Sequence, residues 1–146
     1  MTDINKAELY ELLPHRPPML LIDEIIAVDQ RSSKAIVYIN EQASFYEPGL
    51  GVPAWIGIEY MGQTAALIAG YQLKQGLVEP HLGFLLGTRH YNSHCDYFSE
   101  QSKLLITCEE KALVGDSLAT FDCSICYYGQ SDQLATANLS VFRKQE

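Results

Sequence analysis

Two polar side chains interrupt the most apolar stretch of this 146-residue chain. In VPAWIGIEYMGQTAALIAGY, residues 52–71, Glu59 and Gln63 stand one helical turn apart on the same stripe. A carboxyl group among apolar side chains is pushed toward its protonated form and can deliver a proton near neutral pH. Burial of Glu59 among Ile56, Ile58 and Met61 is therefore expected, with the Gln63 amide hydrogen-bonding the carboxyl group and fixing its orientation. A second reading is purely structural, with Glu59 capped by Gln63 and a neighbouring backbone group in a dimer core. Burying a carboxylate is costly, and that cost is commonly met at functional sites, which favours chemistry.

The remaining chemistry-bearing residues are sparser. His15 sits among Pro14, Pro17 and Pro18, a setting for a rigid turn. His81 follows Pro80 and reads as surface. His90 and His94 lie four apart on a strand-to-loop stretch, which is not metal-ligand spacing on a helix. Cys123 and Cys126 form a CxxC, but strand alternation puts them on opposite faces, and Cys95 and Cys108 make no second pair at zinc spacing. All four read as small buried or half-buried side chains, so neither a metal nor a cofactor is expected.

Positioning the pair requires an architecture. Lys6 to Leu13 reads as a short amphipathic helix ended by Pro14. Leu20–Val28 and Lys34–Ile39 are β-rich runs across a polar turn, followed by a loop from Asn40 to Val52. The long helix is expected to start at Pro53 and to end near Gly76. Beyond it lie four strand candidates, Leu82–Tyr91, Lys103–Glu110, Ser117–Tyr128 and Leu134–Phe142, the last two joined by a turn at GQSD. One long helix, apolar all round, must be surrounded. An antiparallel curved sheet wrapped around it, in an α+β fold, satisfies that need, and small residues such as Gly62, Ala66 and Gly70 let the sheet come close. No linker or repeat divides the chain, so a single domain over 1–146 is expected.

The bulk composition narrows the function. A net charge of −8 and a pI near 4.9 argue against nucleic acid or an anionic membrane as partner. An acidic carrier protein would need a local basic spot, for which Arg16, Arg31, Lys34, Arg89 and Lys103 are candidates. The opening MTDINKAELY has no apolar core of a signal peptide, and Glu59, Gln63 and the helix glycines weigh against a membrane span. A cytoplasmic, reduced protein is the expectation.

The opening ELLPHRPPMLLIDEI and the helix motif Glu59-Tyr60-Met61-Gly62-Gln63 resemble the β-hydroxyacyl-acyl-carrier-protein dehydratases of the hotdog fold. Leu13 to Asp23 match the N-terminal signature of that family almost throughout. The phrase PAWIGIEYMGQTAALIAG is similar, more narrowly, to the divergent dehydratase-like proteins of aryl polyene pigment clusters. The resemblance implies a hotdog protomer working as a homodimer or heterodimer on acyl-carrier-protein or coenzyme A thioesters. It places Glu59 as the helix carboxylate. It also implies an oxyanion site for the thioester at the helix N-terminus, at Pro53, Ala54 and Trp55.

Dehydration of a 3-hydroxyacyl thioester needs a base for the C2 proton and an acid for the leaving hydroxyl. The family's histidine sits on the loop before the helix. Counting back from Glu59 at the family spacing lands on Phe45, and residues 30–80 hold no histidine. Three readings follow: half of a heteromeric dehydratase, a non-catalytic binding or scaffold protomer, and an acyl thioesterase using Glu59 and Gln63 alone.

Overall fold

The computed structural model describes residues 2–76, 81–115 and 117–145. Helix α1 (Thr2–Leu12) is followed by strands β1 (Glu24–Val28) and β2 (Ser32–Ile39), then β3 (Gly51–Pro53). A 3-10 turn over Ala54–Ile56 leads into the long helix α2 (Gly57–Lys74). The second half is strand: β4 (His81–Ser93), β5 (Tyr97–Ser99), β6 (Ser102–Val114), β7 (Leu118–Tyr127) and β8 (Gln133–Gln145). Six strands form one antiparallel sheet in the order β1-β2-β6-β7-β8-β4, and β3 pairs with β5 in a separate ribbon. Helix α2 packs on the sheet over β2, β6 and β7, with α1 laid against it. This is the α+β arrangement that the pattern demands, the hotdog fold.

The core follows from strand alternation. On β7, Ala119, Phe121, Cys123 and Ile125 are buried, while Asp122 is exposed and Thr120 and Ser124 are half-buried. Cys126 is half-buried on the other face, as the alternation predicts. Against this face α2 buries Tyr60, Met61, Thr64, Leu67 and Ile68. The helix stops where Gly76 adopts φ +71° and its N–H reaches the Leu73 carbonyl at 3.1 Å, a conformation that a residue without Cβ takes at little cost.

Two expectations are corrected. Pro53 does not open the helix: it is the last residue of β3, and α2 begins at Gly57 after the 3-10 turn. Nor is α2 surrounded. Its opposite stripe is open in the protomer, with Gly62, Ala66 and Ala69 half-buried and Leu73 exposed. Periodicity reports that a residue is apolar or small, not that its own chain covers it.

Where α1 crosses α2 the helices meet through Gly70. A Cβ at that position would overlap the backbone carbonyl of Leu12, an atom that cannot swing aside. Gly70→Ala is therefore expected to lower stability by about 1–3 kcal/mol by forcing α1 off the helix. A thermal melt followed by circular dichroism, unchanged from wild type, would contradict this account of the crossing.

Candidate functional site

The Leu13–Asp23 segment is built to hold still. The Arg16 guanidinium donates to the carbonyls of Leu13 (2.9 Å), His15 (2.8 Å) and Tyr10 (3.3 Å), and lies over the Tyr10 ring at 4.3 Å. These bonds satisfy acceptors at the C-terminal end of α1, where a cation is also favoured by the helix dipole. At the other end the Asp23 carboxylate accepts the Tyr38 N–H at 2.7 Å, fastening the segment to β2.

Gln63 holds the middle. Its Oε1 accepts the Leu21 N–H at 2.8 Å and its Nε2 donates to the Met19 carbonyl at 2.8 Å. The side chain is 2% exposed. The amide is thus engaged by the N-terminal segment, and it makes no bond to Glu59. The expected carboxyl–amide pair is corrected: Gln63 joins the two motifs to each other.

Glu59 is exposed in the protomer, which corrects its expected burial among Ile56, Ile58 and Met61. Its carboxylate makes no hydrogen bond to the described residues. It stands on the open stripe of α2, on the wall of a cavity of about 600 Å³ between that helix, α1 and the Pro14–Arg16 turn. Phe121 and Val141 line it from the sheet, and Ala65, Ala66, Ala69 and Leu73 give it a largely apolar wall. His15 lines the same cavity, and its Nδ1 is buried without a hydrogen-bond partner among the described residues.

The expected oxyanion residues divide. Pro53 has no N–H, and the Ala54 N–H is donated to the Asp96 carbonyl at 2.9 Å. Only Trp55 keeps an N–H free of these two constraints. The Ala54 carbonyl takes the Tyr91 hydroxyl, and Tyr91 also fills the space beside Gly57 that a Cβ would need. Burial pushes the Tyr91 phenol up to about 12. Tyr91 was not singled out by the sequence, because a tyrosine in a strand carries no signal of which loop its hydroxyl reaches.

The loop before the helix carries no base into the site. Phe45 is 54% exposed at φ +69°, with its ring edge-on to exposed Trp55 at 6.1 Å between centroids. The Tyr46 hydroxyl donates to Glu100 at 2.5 Å, and that bond raises its pKa. Glu47 accepts the Tyr97 hydroxyl at 3.1 Å. Both nearby titratable groups are therefore braced against the β5 side. The His90 ring meets the Asn92 amide at 2.8 Å. The side chains of His81 and Arg89 lie outside the described residues. Among the described residues no helix is long and apolar enough to cross a membrane.

Comparison with known proteins places the chain by sequence and by fold. The family described as ApeP-like, ApeP dehydratase, matches residues 7–146. A 3-hydroxyacyl-[acyl-carrier-protein] dehydratase FabZ of Ralstonia nicotianae is 38% identical over 73 residues, covering 47% of this chain and 44% of that protein. The FabZ of Anaeromyxobacter dehalogenans is 33% identical over 84 residues, 54% of each. The chain spans about half the length of these curated relatives. Among solved structures, the dehydratase heterocomplex ApeI:P of Xenorhabdus doucetiae matches with a TM-score of 0.79 at 26% identity, covering 94% of this chain and 91% of that one.

If Gln63 is the tie between the two motifs, Gln63→Leu leaves the Met19 carbonyl and the Leu21 N–H, both part-buried, without their partner on α2. A loss of about 1–3 kcal/mol is expected. Hydrogen exchange at the Leu21 amide should accelerate well beyond that of amides in β7; equal protection in both proteins would rule the tie out.

Proposed function

This chain belongs to the ApeP-like dehydratase family, and on that premise we propose that it is a subunit of a heteromeric 3-hydroxyacyl-carrier-protein dehydratase. The carrying observation is the asymmetry of the site. A carboxylate is displayed on an open cavity wall, while the loop position that would bring a base brings Phe45. Elimination needs both groups around the same two carbons. A partner hotdog protomer closing over the open stripe of α2 supplies the histidine and removes Glu59 from water. Covering the carboxyl group favours its protonated form, which is the form that delivers a proton to the leaving hydroxyl. The domain is a single one over 1–146, acting in the cytoplasm on acyl-carrier or coenzyme A thioesters.

The exposed apolar side chains Met19, Phe45, Leu50 and Trp55 support a partner on this protomer. The thioesterase reading loses support, because the Gln63 amide that would position water is engaged by Met19 and Leu21. The scaffold reading keeps one observation in its favour, the unbonded and exposed Glu59.

Mixed with a histidine-bearing hotdog dehydratase, the protein is expected to form a complex on size exclusion and to hydrate an enoyl-carrier thioester. Glu59→Gln should slow that reaction by about 100-fold or more. Absence of a complex, together with indifference of the mixture to the substitution, would reject the heteromeric enzyme and leave the scaffold. Release of free thiol by the protein alone would instead restore the thioesterase.

A further inference from the structure

Tyr91 reaches from β4 to the N-terminus of α2, where its hydroxyl donates to the Ala54 carbonyl. The same carbonyl accepts the Gly57 N–H, so it takes two bonds at once. The Ala54 N–H is held as well, by the Asp96 carbonyl at 2.9 Å. Ala54 is thus fastened on both sides of its Cα, from β4 and from the residue before β5. Gly57 leaves the room for this contact. A Cβ there would overlap the Tyr91 hydroxyl and crowd Phe98 and Ile125. Burial pushes the Tyr91 phenol up to about 12, so it keeps its proton and remains a donor throughout the neutral range.

The Ala54 carbonyl and the Trp55 N–H belong to one peptide unit. The cis bond among the described residues is Pro17–Pro18, so this unit is trans. A trans peptide is planar, and its N–H points opposite to its C=O. Fixing the direction of the carbonyl therefore fixes the direction of the N–H. With the carbonyl turned toward Gly57 and Tyr91, the Trp55 N–H is turned out from the start of the helix. A hydrogen bond accepted by the carbonyl also polarises the amide, which makes its N–H a stronger donor. Of the three residues expected at the oxyanion site, Pro53 has no N–H and that of Ala54 is engaged, which leaves Trp55 to donate.

We infer that Tyr91 is a positioning residue for the thioester oxygen of the substrate, acting through the Ala54–Trp55 peptide to aim and strengthen the Trp55 N–H. The inference rests on the dehydratase reading above for the ligand, and on Trp55 as its donor. Negative charge rises on the thioester oxygen as the C2 proton leaves. A better donor there lowers the barrier more than it tightens binding of the substrate. The Tyr91 hydroxyl, engaged by Ala54, touches no reacting atom. Its loss is therefore felt in kcat, with KM little changed.

The test uses the single tryptophan of the chain. Labelling alanine carbonyls with carbon-13 and tryptophan with nitrogen-15 leaves one directly bonded labelled pair, Ala54–Trp55, which gives one correlation peak by NMR. Tyr91→Phe keeps the ring and removes the donor, and Gly57→Ala puts a methyl group where the hydroxyl stands. Both are expected to move the Ala54 carbonyl resonance upfield. Decanoyl-pantetheine, a thioester with no double bond to hydrate, is then added to the labelled chain, alone and in complex with a histidine-bearing dehydratase. The Trp55 amide proton should move downfield in wild type and by less in Tyr91→Phe. In the complex, kcat for hydration of trans-2-decenoyl-pantetheine should fall by about tenfold in Tyr91→Phe, with KM changed by less than about twofold. An Ala54 carbonyl resonance unmoved by Tyr91→Phe overturns the inference, even if Glu59→Gln abolishes turnover and the dehydratase reading stands. So does a Trp55 response to the thioester that is absent in wild type or equal in both proteins, and so does a loss confined to KM. A Tyr91-dependent Trp55 response without hydration in any mixture supports the inference and overturns the dehydratase reading.

Discussion

The site depends on one side-chain amide imitating a strand. In extended chain the carbonyl of one residue and the N–H two residues later point to the same side, as they do toward a parallel neighbour in a sheet. Gln63 presents a carbonyl and an N–H from α2 and takes that place beside Met19 and Leu21. Without it, two part-buried backbone groups of the segment would lose their partner on α2, each at a cost of about 1 kcal/mol. The wall of the cavity opposite α2 is therefore fixed by a residue of α2 itself. The width of the space between Glu59 and the Pro14–Arg16 turn is set by this contact and by the Gly70 crossing.

How much of this was legible in the residues depends on the range of the interaction. The C-cap at Gly76, the alternation on β7 and the opposite faces of Cys123 and Cys126 are local, and periodicity found them. The three-residue strands β3 and β5 were missed because so short a run has no period, and Pro53 reads equally as a helix start and as a strand end. The partners of Gln63 lie more than forty positions away, so spacing on the helix suggested Glu59 instead. The burial of Glu59 failed for a different reason. Gly62, Ala66 and Ala69 count as apolar or small in a pattern, yet their side chains are too small to enclose a neighbouring carboxylate.

The loop before the helix holds an aromatic side chain in a constrained backbone. Phe45 occupies a left-handed backbone conformation that costs a non-glycine residue on the order of 1 kcal/mol. Surrounding contacts hold it there. Glu100 takes the Tyr46 hydroxyl and the Gly49 N–H, Glu47 takes the Tyr97 hydroxyl, and the Glu47 and Gly51 backbones pair with each other. A loop braced at that many points does not swing a side chain inward for catalysis. It holds Phe45 outward against Trp55, and an aromatic pair in water gains free energy when another surface covers it. The same bracing that withholds a base from the cavity therefore presents an apolar edge beside the N-terminus of α2. Phe45 thus leaves the cavity without a base from this loop and adds an exposed apolar edge beside the N-terminus of α2.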